Sequence, residues 1–141
     1  MNIANIYQGA FLWIAVIIAT VFIQWLIASG RKAKQNGAIP GKPPTDLSHH
    51  DFVFRAWRTH QNSVENLSTM LGASFLAILV GVDAGWTTLL IAIMALSRII
   101  HMVLYYAIAT EQNPSPRSYF FMLGWIANLA LLVLAFITLL S

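Results

Sequence analysis

Residues 67–82 are mostly apolar, but about 16 residues fall short of the roughly 20 that an α-helix needs to cross a ~30 Å hydrocarbon layer. A helix through this region must therefore start inside the polar stretch before it, Arg55 to Asn66. At about 100° per residue, Arg58, Asn62, Glu65 and Thr69 fall on one face, within an arc of roughly 60°. A guanidinium, an amide and a carboxylate thus enter the membrane on a single stripe. Such groups are costly in hydrocarbon and are kept where they face protein or a wet cavity.

The other apolar segments complete a set of four. Spans are expected at about 6–28, 58–82, 86–108 and 118–140. With 58% apolar and only 9% charged residues, the 141-residue chain reads as one all-α membrane domain, a four-helix bundle with antiparallel spans. The turn at Asp83 to Gly85 is short enough to force a helical hairpin. Ser48 or Asp51 is suited to cap the second long helix. The first span is no signal peptide: Met1 to Asn5 carries no basic residue, whereas Arg31, Lys32 and Lys34 follow the span.

Four spans place loops 30–58 and 110–117 on one side, opposite both termini. All eight Lys and Arg residues lie in those loops, at their helix ends, or in span three as Arg98. That side is therefore the cytoplasm, with the termini periplasmic. The net charge of +3 comes from residues that are few and interrupted by spans, which argues against a nucleic-acid partner. No histidine or cysteine spacing resembles a zinc site, so no metal is expected. Gln24 and Asn128 are expected to be interhelical hydrogen-bond partners. His49 and His50 are adjacent loop residues with no assigned role, and His60 falls on the side of span two opposite Arg58 and Glu65.

Span three carries a second stripe. Arg98, His101 and Tyr105 are spaced i, i+3, i+7 on an otherwise apolar helix. At ~1.5 Å per residue from the outer end, Arg98 lies roughly 18 Å deep, His101 roughly 22 Å and Glu65 roughly 26 Å. Glu65 is the only carboxylate within the spans, so a Glu65–Arg98 ion pair is expected. Such a pair serves equally as a device fixing helix register or as the floor of a binding cavity. Arg117 and Ser118 open span four on the side where both stripes emerge; the guanidinium suits an anion there, or a flank that snorkels into headgroups.

Arg58, His60, Asn62 and Glu65 in span two, Arg98, His101 and Tyr105 in span three, and Pro116, Arg117 and Ser118 in span four together resemble the MAPEG family, the membrane-associated proteins of eicosanoid and glutathione metabolism. The resemblance runs from the first span to the last. It implies a homotrimer in the bilayer, with glutathione as co-substrate held between neighbouring subunits near the cytoplasmic face. Arg58, Asn62 and Glu65 would hold the tripeptide's charged ends, Arg98, His101 and Tyr105 would complete the pocket, and Arg31 matches a first-helix arginine. Arg117, with Ser118 beside it, matches the residue that stabilises the glutathione thiolate. Because the chain has no cysteine, the nucleophile would be the cofactor's sulfur. Compact loops and the lack of a retention signal point to a bacterial inner membrane. The expected function is a glutathione transferase or peroxidase acting on a small apolar electrophile or a lipid hydroperoxide. Two alternatives stand beside it: a non-catalytic lipid- or effector-binding scaffold of the same fold, and a small ion or proton carrier using Glu65 and His101.

Overall fold

The computed structural model describes residues 2–141. Among them are five helices and no strand: α1 (Ile3–Ile6), α2 (Gln8–Lys32), α3 (Phe52–Val80), α4 (Ala84–Ala107) and α5 (Pro116–Leu140). The last four, of 24 to 29 residues each, are long and apolar enough to cross a membrane, and the chain is an integral membrane protein. The helix α3 begins six residues before the span expected at 58. Asp51 stops it by accepting the Val53 N–H at 3.1 Å.

α3 and α4 touch one another, and α2 and α5 each lie against both. The buried faces mix small and branched residues: Ala10, Ile14 and Ile17 on α2, Met70, Ala73 and Ala77 on α3, Ile91, Met94 and Ala95 on α4, and Ala127, Leu131 and Ala135 on α5. Alanines at the crossings let backbones come close, which is how helices gain packing energy where lipid removes the hydrophobic advantage of burial. Gly9 shows how close: a Cβ there would sit 2.8 Å from Thr88 Cγ2. Phe22, Leu26, Leu79, Phe136 and Leu140 point outward, as a lipid-facing surface requires.

The two ends of the bundle are built differently. At the turn end, Gly81 closes α3 at φ 83° and Val82 N–H donates to Ala77 O at 2.9 Å, the geometry of a left-handed helix cap. Asp83 then caps α4 by accepting the Trp86 N–H at 3.0 Å. The Tyr7 hydroxyl donates to Val82 O at 2.7 Å and ties the N-terminal segment to this corner.

At the opposite end two longer connections are tied to each other. Glu111 Oε1, between α4 and α5, accepts the main-chain N–H of His49, between α2 and α3, at 2.8 Å. Arg55 Nη1 donates to the carbonyls of His49 at 2.8 Å and His50 at 3.0 Å, and Arg55 Nη2 to that of Tyr106 at 3.4 Å. Lys32 Nζ closes its own loop by donating to Ile39 O and Lys42 O. Both loops lie on one side of the bundle, as four antiparallel spans require.

A polar cleft at the loop end

The two polar stripes meet at this end. Arg58 and Asn62 from α3, His101 and Tyr105 from α4, and Arg117, Ser118 and Phe121 from α5 line a cleft of about 180 Å³. Six of the nine residues singled out from the sequence therefore share one space. Glu65, Arg98 and Arg31 stand outside its lining.

The expected Glu65–Arg98 ion pair is not made. Glu65 binds Arg58 instead, through Nη1–Oε1 at 3.0 Å and Nη2–Oε2 at 3.3 Å. The two residues are two helical turns apart on one stripe, and the long arginine lies along the helix to reach the carboxylate in a bidentate grip. With its side chain 55% exposed, Glu65 faces outward rather than into the bundle. Arg98 is 4% exposed and lies behind the cleft, where Nη2 donates to Asn62 Oδ1 at 2.7 Å and Ser63 Oγ at 2.8 Å. Its guanidinium carbon stands 5.9 Å from the Phe121 ring centroid. Arg98 thus fixes the amide that lines the cleft and is shielded from the cleft itself.

Arg117 is the guanidinium at the mouth. Its carbon lies 3.8 Å above the Tyr105 ring, a close cation–π contact. Among the described residues no carboxylate pairs with it, whereas the charge of Arg58 is matched by Glu65. The Ser118 hydroxyl also serves the start of α5. It accepts the Ser115 N–H at 3.3 Å and stands 3.0 Å from Ser115 Oγ, a reciprocal cap that fixes where Arg117 leaves the helix. His101 packs edge-on against Tyr105 at 5.6 Å and faces Phe121 at 6.2 Å, and among the described residues its Nδ1 has no partner.

The structure adds a residue to which the sequence assigns no role. His49, from the α2–α3 loop, stands behind two lining residues of the cleft, its Nδ1 3.2 Å from the Tyr105 hydroxyl and 3.5 Å from Arg117 Nη2. Partial burial, then the Arg117 guanidinium, lower its pKa below the ordinary 6.5, while Glu111 pulls the other way. Nothing in its neighbourhood in sequence announces this position; it follows from Glu111 holding the loop.

Three other expectations resolve elsewhere. Arg31 stands over the Phe52 ring at 5.3 Å, beside Arg55 at 5.4 Å from the same ring. His60 lines a separate apolar groove with Ile18, Val21, Phe22, Trp25 and Leu67. Gln24 is fully buried with neither amide atom bonded among the described residues, and Asn128 Oδ1 likewise has no partner, so the interhelical bonds expected of them are not formed. Asn128 instead borders two hollows, one shared with Asn66 and Arg98 and the other with Thr69. Among the described residues no group of histidines and acids is arranged to hold a metal.

No curated protein and no solved structure matches the chain significantly. The model of the MAPEG family matches residues 10–137, nearly the whole length, and the chain belongs to the MAPEG family.

Proposed function

We propose that the cleft binds glutathione and holds its thiol as the thiolate for attack on an apolar electrophile or for reduction of a lipid hydroperoxide. The family includes glutathione transferases and peroxidases as well as non-catalytic members. The observation that carries the reading is Arg117: a guanidinium in a polar cleft, oriented by Tyr105 and His49, with no carboxylate partner among the described residues. A fixed cation beside a thiol favours the anion, and each unit of thiol pKa depression corresponds to about 1.4 kcal/mol. Held in place before the reaction, such a group stabilises charge without reorganisation cost. Arg58, backed by Glu65, and Asn62, backed by Arg98, offer donors for the peptide's carboxylates and carbonyls.

Two features support a homotrimer with the site shared between subunits. The cleft of about 180 Å³ is smaller than the roughly 300 Å³ at which pockets for ligands of this size begin, so a second wall is needed. Glu65, Ser68 and Thr69 are exposed on α3 at membrane depth, which hydrocarbon disfavours and a neighbouring subunit would cover. Arg31, outside its own subunit's cleft, is then available to a neighbour's. A loop end facing the cytoplasm of a bacterial inner membrane would admit glutathione from water, while the second substrate enters from lipid.

The test is Arg117→Ala, followed by the ultraviolet absorbance of bound thiolate and by conjugation of a chlorinated aromatic. The variant is expected to bind glutathione, lose the thiolate signal and lose about 10²–10³ in turnover. Unchanged turnover discards the assignment of Arg117. A wild-type protein with no thiol-dependent turnover across a broad panel of electrophiles and hydroperoxides discards catalysis in favour of a lipid- or effector-binding scaffold.

A further inference from the structure

His49 is fixed by its main chain and by the face of its ring, which leaves its ring nitrogens to other side chains. Its N–H is held by Glu111, its carbonyl by Arg55, and its ring meets Phe54 edge-on at 5.0 Å. Nδ1 faces two donors, the Tyr105 hydroxyl and Arg117 Nη2, so it presents its lone pair. The ring proton is thereby assigned to Nε2, which faces Glu111 Oε2 at 3.9 Å. A carboxylate behind, an imidazole between and a lone pair on a hydroxyl that lines the site is the order in which histidine accepts a proton from a nucleophile through a relay.

We propose that His49 is the base that takes the proton from the thiol bound at Arg117, with Glu111 orienting it. The inference rests on the thiol-activation reading above and adds the route by which the proton leaves. The S–H bond breaks with its electron pair left on sulfur, and a new N–H bond forms at Nδ1. The transfer runs through the Tyr105 hydroxyl, which lines the cleft and takes the thiol proton as its own passes to Nδ1. The imidazolium then releases its Nε2 proton toward Glu111 and water at the exposed edge of the loop, and return of the Nδ1 proton through Tyr105 with uptake of one from water at Nε2 restores the starting tautomer.

Charge makes the imidazolium transient: Arg117, Arg55 and Arg58 disfavour it and Glu111 favours it, so a proton taken up at Nδ1 is passed on rather than kept. The groups facing His49 are Arg55 and Arg58 on α3, Tyr105 on α4, Arg117 on α5 and Glu111 on the connecting loop. With its pKa lowered, His49 is neutral and able to accept at neutral pH.

The experiment follows thiolate absorbance after rapid mixing of the full-length protein with glutathione across pH, in wild type, His49→Gln and His49→Ala. The glutamine of H49Q keeps a polar side chain beside Arg117 and cannot take up a proton at these pH values. In wild type the rate of thiolate formation is expected to fall as pH drops through the His49 titration. In H49Q it should be about 10²-fold slower at neutral pH and lack that acid limb. In H49A, added imidazoles should restore the rate in order of their basicity. An H49Q rate within about twofold of wild type throughout, a wild-type profile without the acid limb, or an H49A rate indifferent to added bases would each overturn the role of His49. The wild-type profile needs no variant to fold. Wild type that binds glutathione and forms no thiolate would instead overturn the thiol-activation reading itself.

Discussion

The turn end and the loop end of the same bundle solve opposite problems. At the turn end the helix ends are capped within a few residues, Gly81 closing one helix and Asp83 opening the next, and one long-range bond, from Tyr7 to Val82, covers the corner. At the loop end the bonds are long-range, from Glu111 to His49, Arg98 to Asn62 and Arg55 to Tyr106, and they hold open a cleft in place of a corner. Local capping gives stability cheaply because little chain is ordered for each bond. Long-range polar bonds order distant segments, and what they gain is placement of side chains.

That division predicts where changes will be felt. The largest effect belongs to Arg117→Ala, which should cost turnover while lowering stability by only about 1 kcal/mol, the worth of one half-exposed cation–π contact to Tyr105. Arg98→Ala should do both kinds of damage. It strands Asn62 Oδ1 and Ser63 Oγ behind the cleft, costing roughly 2–4 kcal/mol, seen as a lower melting temperature in detergent and weaker glutathione binding by calorimetry. If Arg98→Ala loses binding alone, bonds other than these tie the loop end to the fold. Gly81→Ala, forced to φ 83°, should lower stability by about 1–2 kcal/mol with turnover per folded molecule unchanged. Tyr7→Phe removes one hydroxyl from Val82 O and should cost about 1 kcal/mol by the same measure, again without touching turnover.

The smallest effect is a pH dependence. The lowered pKa of His49 means that the folded state favours the neutral ring, so the unfolded state binds more protons below pH 6.5. This contribution is present above pH 6.5 and is lost as pH falls from there through the lowered value. Unfolding curves of wild type and His49→Gln should therefore converge on acidification. Parallel curves would place the pH sensitivity elsewhere.

Much of this is legible from residue order alone. Span lengths give four helices, and of the two cap candidates, Ser48 and Asp51, the structure uses Asp51. The 3.6-residue period puts Arg58 with Asn62 and His101 with Tyr105 on faces that do meet. What cannot be read is the rotation of α3 about its axis relative to α4. That angle is set by how closely alanines and Met70 and Met94 pack, and it turns Glu65 outward and Ser63 inward. The partner of Arg98 changes with it. The position of His49 beside Tyr105 and Arg117 is hidden for a different reason, since a residue in a connecting loop has no period to betray its direction.

The Glu111 strap grips residue 49 by its amide hydrogen, so every amino acid except proline could occupy that position and be carried to the same place. The loop's path and the chemistry delivered at its tip are thus independent variables. Exchanging the side chain there reprograms what arrives beside Tyr105 without asking the scaffold to move.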